Sequence, residues 1–175
     1  AATLLHLGPG LGNGFANLHN ARRAHTPMIN IVGDHATYHL RHDAPLTSDI
    51  VSVAQPVSAW VYSCPDAPSV PGMAADAVAA ALQPPGQIAT LILPADCAWN
   101  ESSDPAPAPP LPQRATVDAA RIRAIANRLT NGQPTVFLIG GLATSKEGLW
   151  LASRICRATG ARLISEWSNA HTRQG

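Results

Sequence analysis

The apolar run Thr3-Leu4-Leu5-His6-Leu7 leads straight into Gly8-Pro9-Gly10-Leu11-Gly12-Asn13-Gly14 and then into residues with helical spacing. Alternating glycines discard side chains at an entropic cost, which is worthwhile where unusual φ values or the close approach of a ligand are required. The stretch therefore reads as a glycine-rich loop stiffened by Pro9. Phe15 to Arg23 reads as a helix with Phe15, Leu18 and Ala21 on one face, and Met28-Ile29-Asn30-Ile31-Val32 as a strand closed by a Gly33-Asp34 turn. Strand, loop, helix, strand in that order predicts an α/β fold with a parallel sheet, the first strand inside its core.

His35 to Asp49 has no clean period and is a candidate active-site loop; its final Thr47-Ser48-Asp49 can cap a helix beginning at Ile50. Val57 to Tyr62 reads as a short strand, and Ala74 to Leu82 as a helix closed by Pro84-Pro85-Gly86. Ile88 to Leu93 is apolar at nearly every position, as in a strand covered on both faces, and it ends at Pro94. Residues 101–114 hold the run Asp104-Pro105-Ala106-Pro107-Ala108-Pro109-Pro110-Leu111-Pro112, suited to an extended polyproline linker.

Beyond it the pattern starts afresh. A helix from Asp118 to Leu129 carries Ile122, Ile125, Ala126 and Leu129 on one face and stops at Asn131-Gly132. Thr135 to Ile139 reads as a buried strand broken at Gly140-Gly141. Ser145 can cap a helix to Thr159 with Leu149, Ala152 and Ile155 inward, and Gly160 precedes a strand from Arg162 to Ser165. Trp60, Trp99, Trp150 and Trp167 are expected in the core or at interfaces. With no initial Met, and with Arg173-Gln174-Gly175 directly after a strand, the sequence reads as an internal piece of a longer protein.

Twelve Lys and Arg against eleven Asp and Glu leave a formal charge of +1, which argues against a nucleic-acid or anionic-membrane partner. Cys64, Cys97 and Cys156 are odd in number and far apart in sequence, so neither a disulfide framework nor a zinc knuckle is indicated, and a reducing cytoplasm is the default compartment. No apolar run approaches the roughly 20 residues of a membrane span.

Several readings of the motifs compete. Gly8 to Gly14 can be a tight turn with no ligand, or a dinucleotide loop with Asp34 as the ribose-binding acid. Against the second, a Gly-x-Gly-x-x-Gly counted from Gly10 meets Phe15 at its third glycine, and Pro9 removes a backbone donor. His35 and His39, with His42 and Asp43, can bind zinc if their segment is helical, or stand as surface histidines on a polar loop.

A further reading is a resemblance. Leu7-Gly8-Pro9-Gly10-Leu11-Gly12-Asn13, then Asn17 to Ala24, then Thr26-Pro27-Met28-Ile29-Asn30-Ile31-Val32-Gly33-Asp34-His35, resemble the pyrimidine-binding (Pyr) domain of thiamine-diphosphate-dependent enzymes of the acetolactate synthase and benzoylformate decarboxylase kind. The likeness continues through Asp43 to Asp49 and Gln55 to Trp60 and covers residues 1–100. Residues 115–175 resemble, through generic motifs only, the start of the same family's Rossmann-like central domain.

The resemblance implies a partial Pyr domain with a parallel sheet and flanking helices, a linker, and the beginning of a second α/β domain. Pro9 and Asn13 match positions that pack against the aminopyrimidine, with Gly8 and Gly10 permitting close approach. His6 matches a histidine beside the substrate, where an imidazole can donate or accept a proton; its plainer role is a strand-end histidine bonded to carbonyls. Leu46 and Thr47 fall on the substrate loop. Where acetolactate synthases carry Phe-Gln, this chain has Ala44-Pro45-Leu46-Thr47, nearer the decarboxylase pattern.

The implied cofactor is thiamine diphosphate with Mg2+, the implied substrate a 2-oxo acid, and the implied partner a second subunit of a homodimer or homotetramer. FAD is compatible with the resemblance but not indicated by any residue. Two departures stand out. The family's activating glutamate has no match, since the first Glu is Glu101, and Gly33-Asp34-His35 is not the Gly-Asp-Gly metal motif. Both are expected elsewhere in the parent protein, and the piece alone is expected to be inactive.

Overall fold

A computed structural model describes residues 1–110, 113 and 115–167. Leu111 and Pro112 of the expected linker, and Arg173-Gln174-Gly175, lie outside the described residues. The chain divides into two compact units, Ala1–Pro112 and Gln113–Gly175.

In the first unit, β1 (Ala2–His6), β2 (Met28–Asp34), β3 (Trp60–Ser63) and β4 (Ile88–Pro94) form a four-stranded sheet in the order β1-β2-β4-β3, with every pairing parallel. Helices α1 (Leu7–Arg23) and α2 (Ile50–Ala54) cover one face, and α3 (Val70–Ala81) the other. Leu11 and Leu18 of α1 pack with Ile50 and Ala54 of α2, with Val57, and with Val32, Ile88 and Ile92 of the sheet. On the opposite face, Ala77 and Ala81 lie against Ala89, flanked by Ile29 and Trp60. The continuous apolarity of β4 follows from its central place between two helical layers.

A polar line crosses this apolar sheet. Register aligns Thr3 with Asn30 and Asn30 with Thr90. The Thr3 hydroxyl donates to Asn30 Oδ1 at 2.9 Å, Asn30 Nδ2 donates to Thr90 Oγ1 at 3.2 Å, and Ser58 Oγ lies 2.7 Å from Thr90 Oγ1. Asn30 and Thr90 are completely buried, so the line satisfies groups that would otherwise carry an unpaid desolvation cost.

Several expectations are corrected. Gly8 to Gly14 is not a loop, because α1 begins at Leu7 and takes all four glycines into its first two turns. Pro9 falls in the first turn, where a missing N–H breaks no helical bond. Gly33 and Asp34 do not turn but pair with Leu93 and Pro94 as the end of β2. β1 lies at the sheet edge with Leu4 76% exposed, so it is no core strand. The third strand begins at Trp60 instead of Val57, because Val57 closes the α2 turn through its amide to the Ala54 carbonyl. Short α4 (Ala95–Trp99) follows β4, and Trp99 is exposed.

After α4, residues 101–110 take no helix or strand. Ser102 and Ser103 donate their hydroxyls to the Ala67 and Pro68 carbonyls, at 3.1 and 2.8 Å.

The second unit contains α5 (Ala119–Leu129), β5 (Val136–Ile139), α6 (Lys146–Thr159) and β6 (Arg162–Ser165), with β5 and β6 parallel. Asp118 caps α5 by accepting from the Ala120 amide, and Ser145 caps α6 by accepting from the Gly148 amide. Gly160 ends α6 with φ 74°, a left-handed residue suited to glycine. β5 is not buried as expected: Val136 and Leu138 are exposed and only Ile139 is enclosed. The apolar face of α5 is likewise open at Ile122 and Ile125, and Trp150 and Trp167 are exposed. Among the described residues, two strands supply too little surface to bury these faces.

Candidate functional site

β1, β2 and β4 end together at one edge of the sheet, and α1 starts there. His6 closes β1 opposite Gly33 and forms the N-cap of α1 with no side-chain capping bond. Leu7 then turns the chain with φ 56°, a conformation that costs a non-glycine residue about 1–2 kcal/mol. Its side chain is buried, and apolar burial offsets the strain. This bend leaves the His6 ring exposed at the rim.

Helical spacing sets the rest. Pro9 and Asn13 are four apart and share one stripe of α1, and both are exposed beyond His6. Gly8 is buried: a Cβ there would collide with Cβ and Oγ of Ser48. Gly10 sits against Leu5 and the His6 Cβ, where an added Cβ would lie 3.4 Å from the Leu5 carbonyl carbon. These glycines permit close packing of the loop and strand against the helix, instead of freeing a loop.

The contact at Gly8 brings the second segment to the rim. Thr47 donates its amide to the Ala44 carbonyl at 2.8 Å and Ser48 donates its hydroxyl to the Leu46 carbonyl at 3.2 Å, so residues 44–48 form a folded turn against the start of α1. Leu46 is exposed, whereas Thr47 Oγ1 is buried with no hydrogen-bond partner. His35, directly after β2, has an unpartnered buried Nε2 as well. Buried polar atoms are nearly always bonded, and both of these fall on the one loop between β2 and α2. Sequence reading weighed His35 only as a metal ligand or surface residue, and periodicity offers no signal for a buried ring nitrogen.

The loop is anchored at both ends. Asp49 caps α2 by accepting from the Ser52 amide at 3.0 Å, and the Ser52 hydrogen bonds hold its carboxyl below the usual range. Asp96 of α4 accepts from the Thr37 amide at 2.9 Å and from the Thr37 hydroxyl, which lowers its pKa in the same way. Between these anchors the segment is a bend and a short 3-10 turn, Leu40–His42, instead of an α-helix.

The helix on which the zinc reading depends is therefore not formed. The rings of His35, His39 and His42 follow one another at centroid spacings of 5.8 and 5.3 Å, and Arg41 Nε donates to His42 Nε2 at 3.2 Å. Among the described residues, no three His, Cys, Asp or Glu are placed to hold a metal ion. Asp34, weighed as a ribose-binding acid, accepts the His35 amide through Oδ1 at 2.7 Å. No helix among the described residues is long and apolar enough to cross a membrane.

Residues 1–53 match the family model "Thiamine pyrophosphate enzyme, N-terminal TPP binding domain". Over 166 residues, 95% of this chain, the sequence is 52% identical to IlvX of Mycobacterium tuberculosis, named as an acetolactate synthase large subunit, and it covers 32% of that protein. Among solved structures, a Mycobacterium smegmatis protein described as a thiamin diphosphate-dependent enzyme superposes with TM-score 0.82 at 28% identity, over 97% of this chain and 33% of that one. The thiamine diphosphate-dependent 4-hydroxybenzoylformate decarboxylase of Rhodococcus jostii shares the fold with TM-score 0.81 at 21% identity, over 94% of this chain and 32% of its own. The chain thus spans about a third of the length of the relatives it matches.

Proposed function

We propose that this chain is the pyrimidine-side part of a thiamine-diphosphate-dependent enzyme acting on a 2-oxo acid, by decarboxylation or carboligation. The observation that carries the reading is the exposure of His6, Pro9 and Asn13 at the strand-to-helix bend, inside the region matched by the family model. The residues fit such a cofactor: Pro9 offers an apolar surface, Asn13 an amide that can donate and accept, and the buried Gly8 lets the first turn sit flush with the loop. Thiamine diphosphate, when bound, supplies the carbon chemistry, and the protein orients it.

In this reading Pro9 and Asn13 hold the aminopyrimidine. His6 moves a proton at its ring to or from the substrate oxygen, for which an imidazole is suited near neutral pH. Leu46 and Thr47, on the turn packed against Gly8, line the substrate side. Mg2+ and the diphosphate would be held by polypeptide other than the described residues. A second subunit of a homodimer or homotetramer would complete the site, in a cytoplasmic enzyme.

Calorimetric titration of the full-length protein with thiamine diphosphate and Mg2+ tests the reading. Asn13→Ala is expected to weaken cofactor binding about tenfold, the loss of one or two net hydrogen bonds. His6→Ala is expected to leave cofactor binding unchanged while lowering kcat on 2-oxo acids at least about 100-fold. Absence of cofactor binding by the wild-type protein refutes the proposal.

A further inference from the structure

Cys64 and Cys97 are separated in sequence, but the parallel pairing of β3 and β4 brings them together. Cys64 directly follows β3, and its amide donates to the Ile92 carbonyl of β4 at 2.9 Å. Cys97 sits on α4, the helix that opens as β4 ends. Its thiol donates to the Cys64 carbonyl at 3.5 Å, and the Cys64 thiol donates to the Asp66 carbonyl at 3.2 Å. Both residues are buried, with Cys64 1% and Cys97 4% exposed. Both thiols are free, and Cys156 belongs to the other unit.

We propose that Cys64 and Cys97 form a reversible disulfide under oxidation by a low-molecular-weight disulfide, and that the bond acts on the candidate substrate loop. The connection to the loop is short. Asp96, the residue before Cys97, holds the Thr37 amide and hydroxyl. Drawing α4 toward the end of β3 therefore pulls on the segment that carries His35, Leu46 and Thr47.

The exchange balances as follows. One cysteine thiolate attacks the small disulfide, forming a mixed disulfide and releasing one small thiolate. The second cysteine loses its proton and attacks the protein sulfur of the mixed disulfide, releasing the other. Two protein thiols give up two protons and two electrons, and the small disulfide becomes two thiols; excess thiol reverses both steps. Burial raises both cysteines, Cys97 to about 11, so the thiolate needed for attack is scarce at neutral pH. Formation should accelerate about tenfold per pH unit over the range where the attacking thiol is mostly protonated.

Oxidised glutathione added to the native full chain, followed by acid quench and mass analysis, tests the pair. Met73 is the one methionine between the two cysteines, so cyanogen bromide cleavage separates them unless they are bonded. The expected product has lost two hydrogens and keeps the Cys64 and Cys97 fragments joined until reduction. It forms faster at higher pH, persists in Cys156→Ser, and is absent in Cys64→Ser and Cys97→Ser. Slowed or quickened exchange of the Thr37 amide in the oxidised wild type, relative to the reduced form at the same pH, is expected from the loop connection. Adducts confined to Cys156, or a crosslink that forms only in urea, overturn the site. A crosslink that leaves Thr37 exchange unaltered overturns the coupling to the loop.

Discussion

Gly8 has no room for a side chain at the start of α1. A methyl group there meets the Ser48 side chain, and overpacking of that kind costs about 1–3 kcal/mol, more than the roughly 1 kcal/mol that alanine gains over glycine in a helix. Gly8→Ala is therefore expected to lower stability in urea denaturation, and Ser48→Gly on that background to recover most of the loss; an independent sum of the two changes would refute the contact. Thr47 presents the opposite case. Its buried hydroxyl has no partner, so Thr47→Val is expected to raise stability by about 1 kcal/mol. If Thr47 serves the substrate, that same variant gains stability and loses turnover, which parallel denaturation and rate measurements would read. The glycines and the loop threonine were visible as residues of interest in the sequence. That one glycine is needed because of a serine forty positions away was not, since collision is a property of folded distance.

At the scale of elements, the helix-forming periods were legible and the start of α1 was not. Phe15 and Leu18 announce an amphipathic helix, but Gly8, Gly10, Gly12 and Gly14 carry poor helix propensity, and local preference pointed to a loop. Packing against the sheet, Leu5 and Ser48 overrides that preference. The Thr47-Ser48-Asp49 cluster was readable as a cap, and Asp49 does cap α2, because N-capping is a local interaction spanning three residues. The Asn30 line could not be read that way. Its partners Thr3 and Thr90 come from two other strands, and Asn30→Ala is expected to cost about 1–3 kcal/mol by removing both hydrogen bonds, with Thr3 losing its acceptor while Thr90 keeps Ser58.

The clasp between α4 and the loop carries a pH signature. The Thr37 hydrogen bonds depress Asp96, so the stabilisation they give is complete above the ordinary carboxylate value and is lost as pH falls through the folded value below 3.8. The Thr37 amide proton resonance should follow that titration, and Asp96→Asn should abolish it; a Thr37 shift that persists in the variant would assign the titration elsewhere.

Over the whole molecule, the two units differ in how well they bury themselves. The first has helices on both faces of its sheet, while the second leaves Ile122, Ile125, Val136 and Leu138 between 49% and 67% exposed. The chain as given is expected to bind a hydrophobic dye such as ANS through the second unit, and Ile125→Ser with Leu138→Ser should cut that fluorescence sharply without shifting the unfolding of the first unit. Fluorescence unaffected by those changes would place the dye site elsewhere. The alternation of strand and helix, the parallel sheet, the proline-rich break and the likeness to thiamine-diphosphate enzymes all follow from local periods and contiguous motifs, which survive in an unfolded string. The helical state of the glycine segment, the contact of Gly8 with Ser48, the buried unpaired atoms of His35 and Thr47, and the meeting of Cys64 with Cys97 depend on parallel pairing of strands distant in sequence. No window of neighbouring residues contains those distances, so only the folded chain sets them.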